Sequence, residues 1–366
     1  IDMPRPDGSL SLLYLAGALL KENIETDILD ASVGAEKDKL EDTFYNGVIQ
    51  PNGLVRIGMS YEKIQSFVAQ GKYDIVGINS NFTLQTKMAI ETAKVIKELD
   101  PNILIVAGGV NARAIVSRFL DSGFVDIIIV TEGEKILLQL IKNWQKGLGF
   151  SNLDGIIYRL NKKIISIPAK QKSICANLDE LPIPAWHKLP LEKYFSLTST
   201  RGAIINETPD RYAPMMTSRG CPFCCSYCHI SGEKKKRSLT GEIGLLRLKS
   251  IERVLMEINV LKKLGVNKIY IEDDSLLAEK NRVKIIFQEL KNSGLRLSNV
   301  NGVNLTHFTI SEKNSRKLKI DYEYLELLKN SGLNEIVFPG ESASQRILNK
   351  YCSGKINLKK LDVVEL

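Results

Sequence analysis

The chain has 366 residues, of which 44% are apolar and 25% charged, so it can form two core-forming domains and is not a disordered protein. The formal charge of +8 comes partly from local runs such as Lys234-Lys235-Lys236-Arg237 and Lys359-Lys360, and fits a solvated surface better than a nucleic-acid platform. No apolar run approaches the length of a membrane span and no secretory signal is visible, so a soluble cytoplasmic protein is expected, in a reducing compartment because a disulfide scaffold would be shorter and denser in cysteine.

Leu12, Leu15, Ala16, Leu19 and Leu20 fall at helical spacing, and Ile24 to Asp30 reads as a short strand after them. Residues 36 to 72 are mixed and polar and give few firm signals. From Tyr73 the pattern sharpens: a buried strand over Ile75 to Asn79, and a helix face marked by Met88, Thr92, Val95, Ile96 and Leu99. A strand over Ile103 to Ala107 follows, then a helix to about Leu120, a strand from Val125 to Val130, and a helix to about Trp144. Strands alternating with helices imply a doubly wound, flavodoxin- or Rossmann-like parallel sheet over residues 1–149. Ligands of such sheets sit beyond the carboxyl ends of the strands, here Asn79-Ser80-Asn81, Gly108-Gly109-Val110-Asn111 and Thr131-Glu132-Gly133. The plain alternative for these glycines is the tight turn of any such sheet.

Residues 150–211 read as a linker. Ile156 to Arg159 and Lys163 to Ser166 form a hairpin around Leu160-Asn161-Lys162, and Asp179 to Trp186, with Pro182 and Pro184, is extended.

A second alternation begins after Tyr212. Pro214 to Thr217 is a strand leading into Ser218-Arg219-Gly220-Cys221-Pro222-Phe223-Cys224-Cys225-Ser226-Tyr227-Cys228-His229, which holds four of the six cysteines. Cys221, Cys225 and Cys228 make C-x3-C-x2-C, suited to an iron–sulfur cluster whose fourth iron stays open; all four make two abutting C-x2-C pairs, the zinc alternative, in which adjacent Cys224 and Cys225 are awkward to wrap around a tetrahedron. Beyond the loop, Ile251 to Leu261 stripes a helix closing at Gly265. Lys268 to Ile271 is a strand ending in Glu272-Asp273-Asp274-Ser275, and Val283 to Leu290 a helix. Val300 to Leu305 is a strand, Tyr322 to Leu328 a helix, Glu335 to Phe338 a strand running into Gly340-Glu341-Ser342, and Ile347 and Leu348 sit on a last helix. Four β-α units imply a parallel barrel with its chemistry at the carboxyl ends of the strands. Asp274, Ser275 and Ser342 can equally be helix caps. His187 and His307 read as structural, and Cys175 and Cys352 as buried apolar residues.

C-x3-C-x2-C with Tyr227 before its last cysteine resembles the cluster-binding signature of the radical S-adenosylmethionine (radical SAM) enzymes. Thr217 to Pro222 and Cys228-His229-Ile230 resemble the subgroup in which a cobalamin-binding domain precedes the radical domain. From about Pro4 to Trp144 the chain is similar to that cobalamin-binding domain, most clearly at Val76-Gly77-Ile78, Gly108-Gly109 and Glu132-Gly133-Glu134, and Asp179 to Trp186 resembles the segment leading into the radical domain.

The resemblance implies a [4Fe-4S] cluster on Cys221, Cys225 and Cys228, S-adenosyl-L-methionine (SAM) near Tyr227, Asp273, Glu341 and Ser342, and cobalamin beside Asn79, Ser80, Gly108, Gly109, Glu132 and Gly133. Cys224 stands where the family often has a polar residue and reads as a bystander; His229 can either donate to sulfur or pack. With no histidine in residues 1–149, the lower face of the cobalt would have a non-histidine ligand, water or none. The expected barrel is partial, with four of the six units common in the family, as if the chain were trimmed inside a helical stretch at Leu366. The implied activity is reductive cleavage of SAM, in a cobalamin-dependent methyltransferase acting on an unactivated carbon, with a reductant such as flavodoxin or ferredoxin and a small-molecule or peptide substrate. The rivals are a radical SAM cyclase, rearrangement or sulfur-insertion enzyme and, from another class, a zinc-stabilised nucleic-acid-binding protein.

Overall fold

The computed structural model describes residues 8–197, 210–311, 317–353 and 355–361. The start of the resemblance near Pro4 and the helical ending expected at Leu366 lie outside them. The N-terminal half runs α1 (Leu10–Lys21), the small hairpin β1 (Val48–Ile49) and β2 (Val55–Arg56), and α2 (Tyr61–Gly71). Then come β3 (Ile75–Asn79), α3 (Thr86–Leu99), β4 (Leu104–Gly108), α4 (Val110–Ala114), α5 (Val116–Leu120), β5 (Ile127–Ile129) and α6 (Gly133–Gln145), followed by β6 (Ile156–Leu160) and β7 (Lys163–Ile167). β3, β4 and β5 pair in parallel, and the β6–β7 hairpin extends the sheet antiparallel from β5.

The period-2 alternation of β4 shows why helices cover both faces. Ile105 and Ala107 pack with Val68 of α2, Ala93 and Ile96 of α3 and Phe119 of α5, whereas Leu104 and Val106 pack with Leu19 of α1 and Ile136 and Leu140 of α6. The sheet is doubly wound as expected, with the expected hairpin as its antiparallel margin.

Two local readings differ. Ile24–Asp30 is extended but pairs with no described strand. Its charged Glu25 and Asp27 suit side-chain anchoring instead: the Tyr73 hydroxyl donates to Asp27 at 2.8 Å and that of Tyr194 to Asp30 at 2.6 Å. The polar stretch before Tyr73 contains α2, whose Ser60 accepts the Lys63 N–H as an N-cap at 3.2 Å.

The second half runs α7 (Leu191–Ser196), β8 (Tyr212–Met215), β9 (Ser218–Arg219), α8 (His229–Lys235), α9 (Arg237–Thr240), β10 (Arg247–Leu248), α10 (Ile251–Lys263) and β11 (Lys268–Ile271). It continues with α11 (Lys280–Leu290), β12 (Arg296–Asn299), the hairpin β13 (Thr309–Ser311) and β14 (Leu318–Ile320), α12 (Tyr322–Asn330), β15 (Leu333–Glu335) and α13 (Gln345–Tyr351). β8, β11, β12 and β15 form one parallel sheet in the order β15-β12-β11-β8. It curves through four β-α units without closing into a barrel.

The third and fourth strands lie a few residues before their expected places. Leu295 and Leu297 are buried and β12 is bonded on both sides, while Val300–Asn304 is the loop beyond its carboxyl end, with Asn304 capping the turn at Leu305–Phe308. β15 stops at Glu335, leaving Val337 and Phe338 exposed. The segment around Asp179–Trp186 turns at Leu178–Glu180 and Trp186–Lys188 rather than running straight. Trp186 is fully buried, its indole N–H donating to the Pro214 carbonyl at 3.1 Å.

Candidate active site

The cysteine loop leaves the carboxyl end of β8 and is held at both ends. Ser218 and Arg219 pair antiparallel with Leu248 and Arg247; Gly220 then takes φ +77°, where a Cβ would strike the Leu245 carbonyl. At the far end, Cys228 is the N-cap residue of α8, and the Ser226 N–H donates to the Tyr351 carbonyl of α13 at 2.8 Å. Lys234, on the last turn of α8, folds its ammonium back onto the carbonyls of Cys221 and Phe223.

All six cysteines are free thiols. Cys225 is buried, Cys221 and Cys228 are half-buried, and Cys224 is exposed. The three thiols of the C-x3-C-x2-C set are thus at least partly covered, and the fourth is exposed. Burial raises the Cys221 and Cys225 thiols above their ordinary range, with Lys234 opposing at Cys221 and Lys355 at Cys225. Among the described residues, no three His, Cys, Asp or Glu side chains converge on a single-ion site. Two lysines beside a thiol-rich, acid-poor loop suit soft, electron-rich ligation.

Of the expected SAM residues, Tyr227 and Glu341 are brought together. The tyrosine hydroxyl donates to the Glu341 carboxylate, which also accepts from Lys355. Burial would raise Glu341, but Lys355 and Tyr227 together hold it below the usual carboxylate range. Ser342 follows, its hydroxyl accepting the Ser344 N–H at 3.1 Å.

Asp273 is placed differently. It is wholly buried at the end of β11 and accepts the Thr217 N–H, the Thr217 hydroxyl and the Ser218 hydroxyl, each at 2.6 Å. Its oxygens are engaged in fixing the strand-to-loop joint. Its neighbour Asp274 faces the loop through the Gly220 main chain; burial and the charges of Asp273 and Glu233 push it up to about 7. His229 opens α8 and is lowered by burial, against Glu233. His307 stacks on Phe223 of the loop, and His187 is exposed. Cys175 and Cys352 are buried, as expected; Cys352 shares a core with Cys225.

Segments that follow β4 and β5 contact the elements flanking this loop, through Arg113–Glu233, Thr131–Thr240 and Arg219–Glu134. Gly109 takes φ +98°, and a Cβ there would lie 2.5 Å from the Ser80 carbonyl and 2.6 Å from Asn81 Oδ1. Ser80 is fully buried and accepts Asn111 Nδ2 at 2.9 Å, Asn79 donates to Ser9 at 2.7 Å, and Gly108 has open space where a Cβ would stand. This polar cradle, floored by glycine, fits a bulky cofactor brought against main chain.

Glu132 ties the turn after β5 to the second half of the chain. Its carboxylate receives Arg247 at 2.6 and 3.0 Å, Arg219 at 3.3 Å and the Cys175 N–H at 3.2 Å, while Glu134 receives Arg219 at 2.5 Å. Burial would raise Glu132, but the two guanidiniums hold it low. Gly133 between them admits Leu15 of α1. Arg113 of α4 pairs with Glu233 of α8, and the Thr131 hydroxyl donates to the Thr240 carbonyl at 2.8 Å. Arg113, Glu233, Lys234, Arg247 and Lys355 were not among the sequence candidates; nothing in the sequence around any of them marks its partner.

A family model described as the radical SAM superfamily matches residues 215–366, and one described as a B12 binding domain matches residues 8–141. The chain is 26% identical over 384 residues to cytidylyl-2-hydroxyethylphosphonate methyltransferase of Streptomyces wedmorensis, covering 98% of this chain and 66% of that protein. Two solved structures share the fold. One is the radical S-adenosylmethionine methyltransferase TsrM from Kitasatospora setae with cobalamin and [4Fe-4S] cluster bound, with a TM-score of 0.64 and 15% identity over 99% of this chain and 62% of that one. The other is the cobalamin-dependent S-adenosylmethionine radical enzyme OxsB with aqua-cobalamin and S-adenosylmethionine bound, with a TM-score of 0.68 and 21% identity over 97% of this chain and 44% of that one. The chain thus spans about two thirds or less of the length of these relatives. With both models matched in the order that the two halves of the fold show, the chain carries a B12-binding domain over residues 8–141 ahead of a radical SAM domain over residues 215–366.

Proposed function

We propose that this chain is the B12-binding and radical SAM portion of a cobalamin-dependent methyltransferase acting on an unactivated carbon. The observation that carries the reading is the tying of a loop with three buried or half-buried free thiols, through Arg219–Glu134 and Arg113–Glu233, to segments that follow the strands of the N-terminal sheet. The methyltransferase name of the Streptomyces wedmorensis relative supports methyl transfer over cyclisation, rearrangement or sulfur insertion.

When bound, a [4Fe-4S] cluster supplies the electron that cleaves SAM, and cobalamin carries the methyl group. Cys221, Cys225 and Cys228 hold the iron; Lys234 and Lys355 offset the thiolate charge and Cys224 stays outside. Tyr227, Glu341 and Ser342 line the SAM side, the Glu341 carboxylate suiting a ribose hydroxyl or an amino group. Asp273 sets the loop joint and touches no ligand. Asn79, Ser80, Gly108 and Gly109 border the cobalamin, with Glu132 and Gly133 forming the wall behind it. The substrate is a small molecule or peptide and the electron donor a flavodoxin or ferredoxin. Among the described residues no helix is long and apolar enough to cross a membrane, which is consistent with a cytoplasmic enzyme.

Anaerobic reconstitution with iron, sulfide and hydroxocobalamin tests the reading. About four irons and one cobalt per chain are expected, retained in Cys224→Ala and lost for iron in Cys225→Ala. Zinc without iron or sulfide would sink it. With a substrate in hand, a product heavier by one SAM-derived carbon separates methylation from the other radical reactions.

A further inference from the structure

Arg219 sits two positions before the first cysteine of the loop, yet its surroundings come mainly from the other domain. Its guanidinium lies 2.5 Å from Glu134 and 3.3 Å from Glu132, and stacks 4.9 Å over the Tyr14 ring of α1. The register of β9 on β10 puts Arg219 directly opposite Arg247. Like charges facing each other across a ladder are destabilising, and this ladder is only two residues long. Glu132, reaching both guanidiniums from the N-terminal domain, supplies the missing counter-charge. The side chains of Arg219, Arg247 and Glu132 are each about nine-tenths buried, so water screens these pairs little. The pedestal of the cysteine loop is therefore completed by the turn after β5.

That turn, Thr131 to Glu134, also ends one of the three parallel strands whose carboxyl ends form the cofactor face. We infer that Glu132 and Glu134, acting through Arg219, are positioning residues that couple the ligand site of the B12-binding domain to the cysteine loop, so that loading one tightens the other. This rests on the reading of the loop as the cluster site. Fixing Cys221 on iron fixes Gly220 and Arg219, and with them the turn that borders the second cofactor. Ordering already done by one ligand is not required again of the next.

The test uses the whole chain, titrated anaerobically with hydroxocobalamin by visible absorbance, with and without its cluster, with iron and sulfide counted in each sample. Wild type is expected to bind hydroxocobalamin about five-fold or more tightly when the cluster is present. Arg219→Met and Glu134→Gln bring that ratio close to one, and Arg219→Lys restores part of it. Glu335→Gln removes a charge that pairs with buried Lys268 at the start of β11; it lowers stability but keeps the ratio. If Arg219→Met does not fold, the milder Glu132→Gln takes its place, with the ratio again expected to fall. A wild-type ratio of one with both cofactors bound, or variants that keep the wild-type ratio, overturns the coupling. Absence of iron and cobalt from wild type overturns the cofactor reading itself, which the metal counts distinguish.

Discussion

The Tyr227 hydroxyl donates to Glu341 across 114 residues of sequence, tying the cysteine loop to the segment beyond β15. Because Lys355 also holds Glu341, Tyr227→Phe keeps the carboxylate in place but unties the loop. A change in global stability below about 1 kcal/mol is expected, since the ring is largely exposed, together with a several-fold weaker SAM affinity of the reconstituted protein by calorimetric titration. Unchanged affinity would make the tie mere scaffolding.

Asp273 invites the opposite expectation. Asp273→Ala leaves three buried donors on Thr217 and Ser218 without an acceptor, and a loss of more than about 3 kcal/mol is expected in urea unfolding of the cluster-free protein. A near-neutral result would mean that this carboxylate is free for a ligand.

Gly108 and Gly109 are adjacent but not equivalent. Gly109→Ala forces a side chain into φ +98° and against the Ser80 carbonyl, costing about 2 kcal/mol or more, whereas Gly108→Ala meets nothing within 4 Å and should cost little. Thermal melts of the two variants separate a strained turn from a merely flexible one. Gly108→Ala, which stays folded, should still weaken cobalamin binding if the corrin approaches that open space.

His307 gives the fold an acid sensitivity. Burial, reinforced by Lys280 and Lys355, lowers it to about 4, and its buried Nδ1 has no partner. Its folded value lies below its unfolded one, so between roughly pH 6.5 and 4 the unfolded chain binds the extra proton, and stability falls as pH falls through that window. His307→Gln should remove on the order of 1–2 kcal/mol of the difference between pH 7.5 and 5, read from denaturant midpoints. An unaltered difference would place the acid sensitivity elsewhere.

The sequence was most legible where a single period governs a segment. The continuous apolar run of β4 and the helical stripe of α10 came through because burial on two faces or on one imposes them. Cys221, Cys225 and Cys228 could be singled out as a set because ligand spacing is local. Val300 to Leu305 was misread because its apolar residues, Val303 buried and Val300 and Leu305 partly so, pack beyond the end of β12 without belonging to a ladder. Glu132 was expected beside cobalamin; its engagement with Arg247, 115 residues away, depends on the docking of two domains, which no local pattern encodes. Asp273 likewise reads as a strand-end acid near SAM until β8 is seen to lie alongside β11.

The first helix has a consequence for how the chain reaches its folded state. Leu19 of α1 packs within the N-terminal sheet domain, but Leu10, Leu13 and Tyr14 belong to a core shared with Tyr212, Val254, Ile258 and Leu261, and the Tyr14 hydroxyl receives the buried Lys249 ammonium at 2.6 Å. During synthesis this face therefore meets only part of its core, including Val33, Phe44 and Trp186, before the residues from Tyr212 onward have left the ribosome. Burial of this face is completed only by the second domain, and in the interval the uncovered part of the flank is a surface for chaperones to guard or for aggregation to exploit.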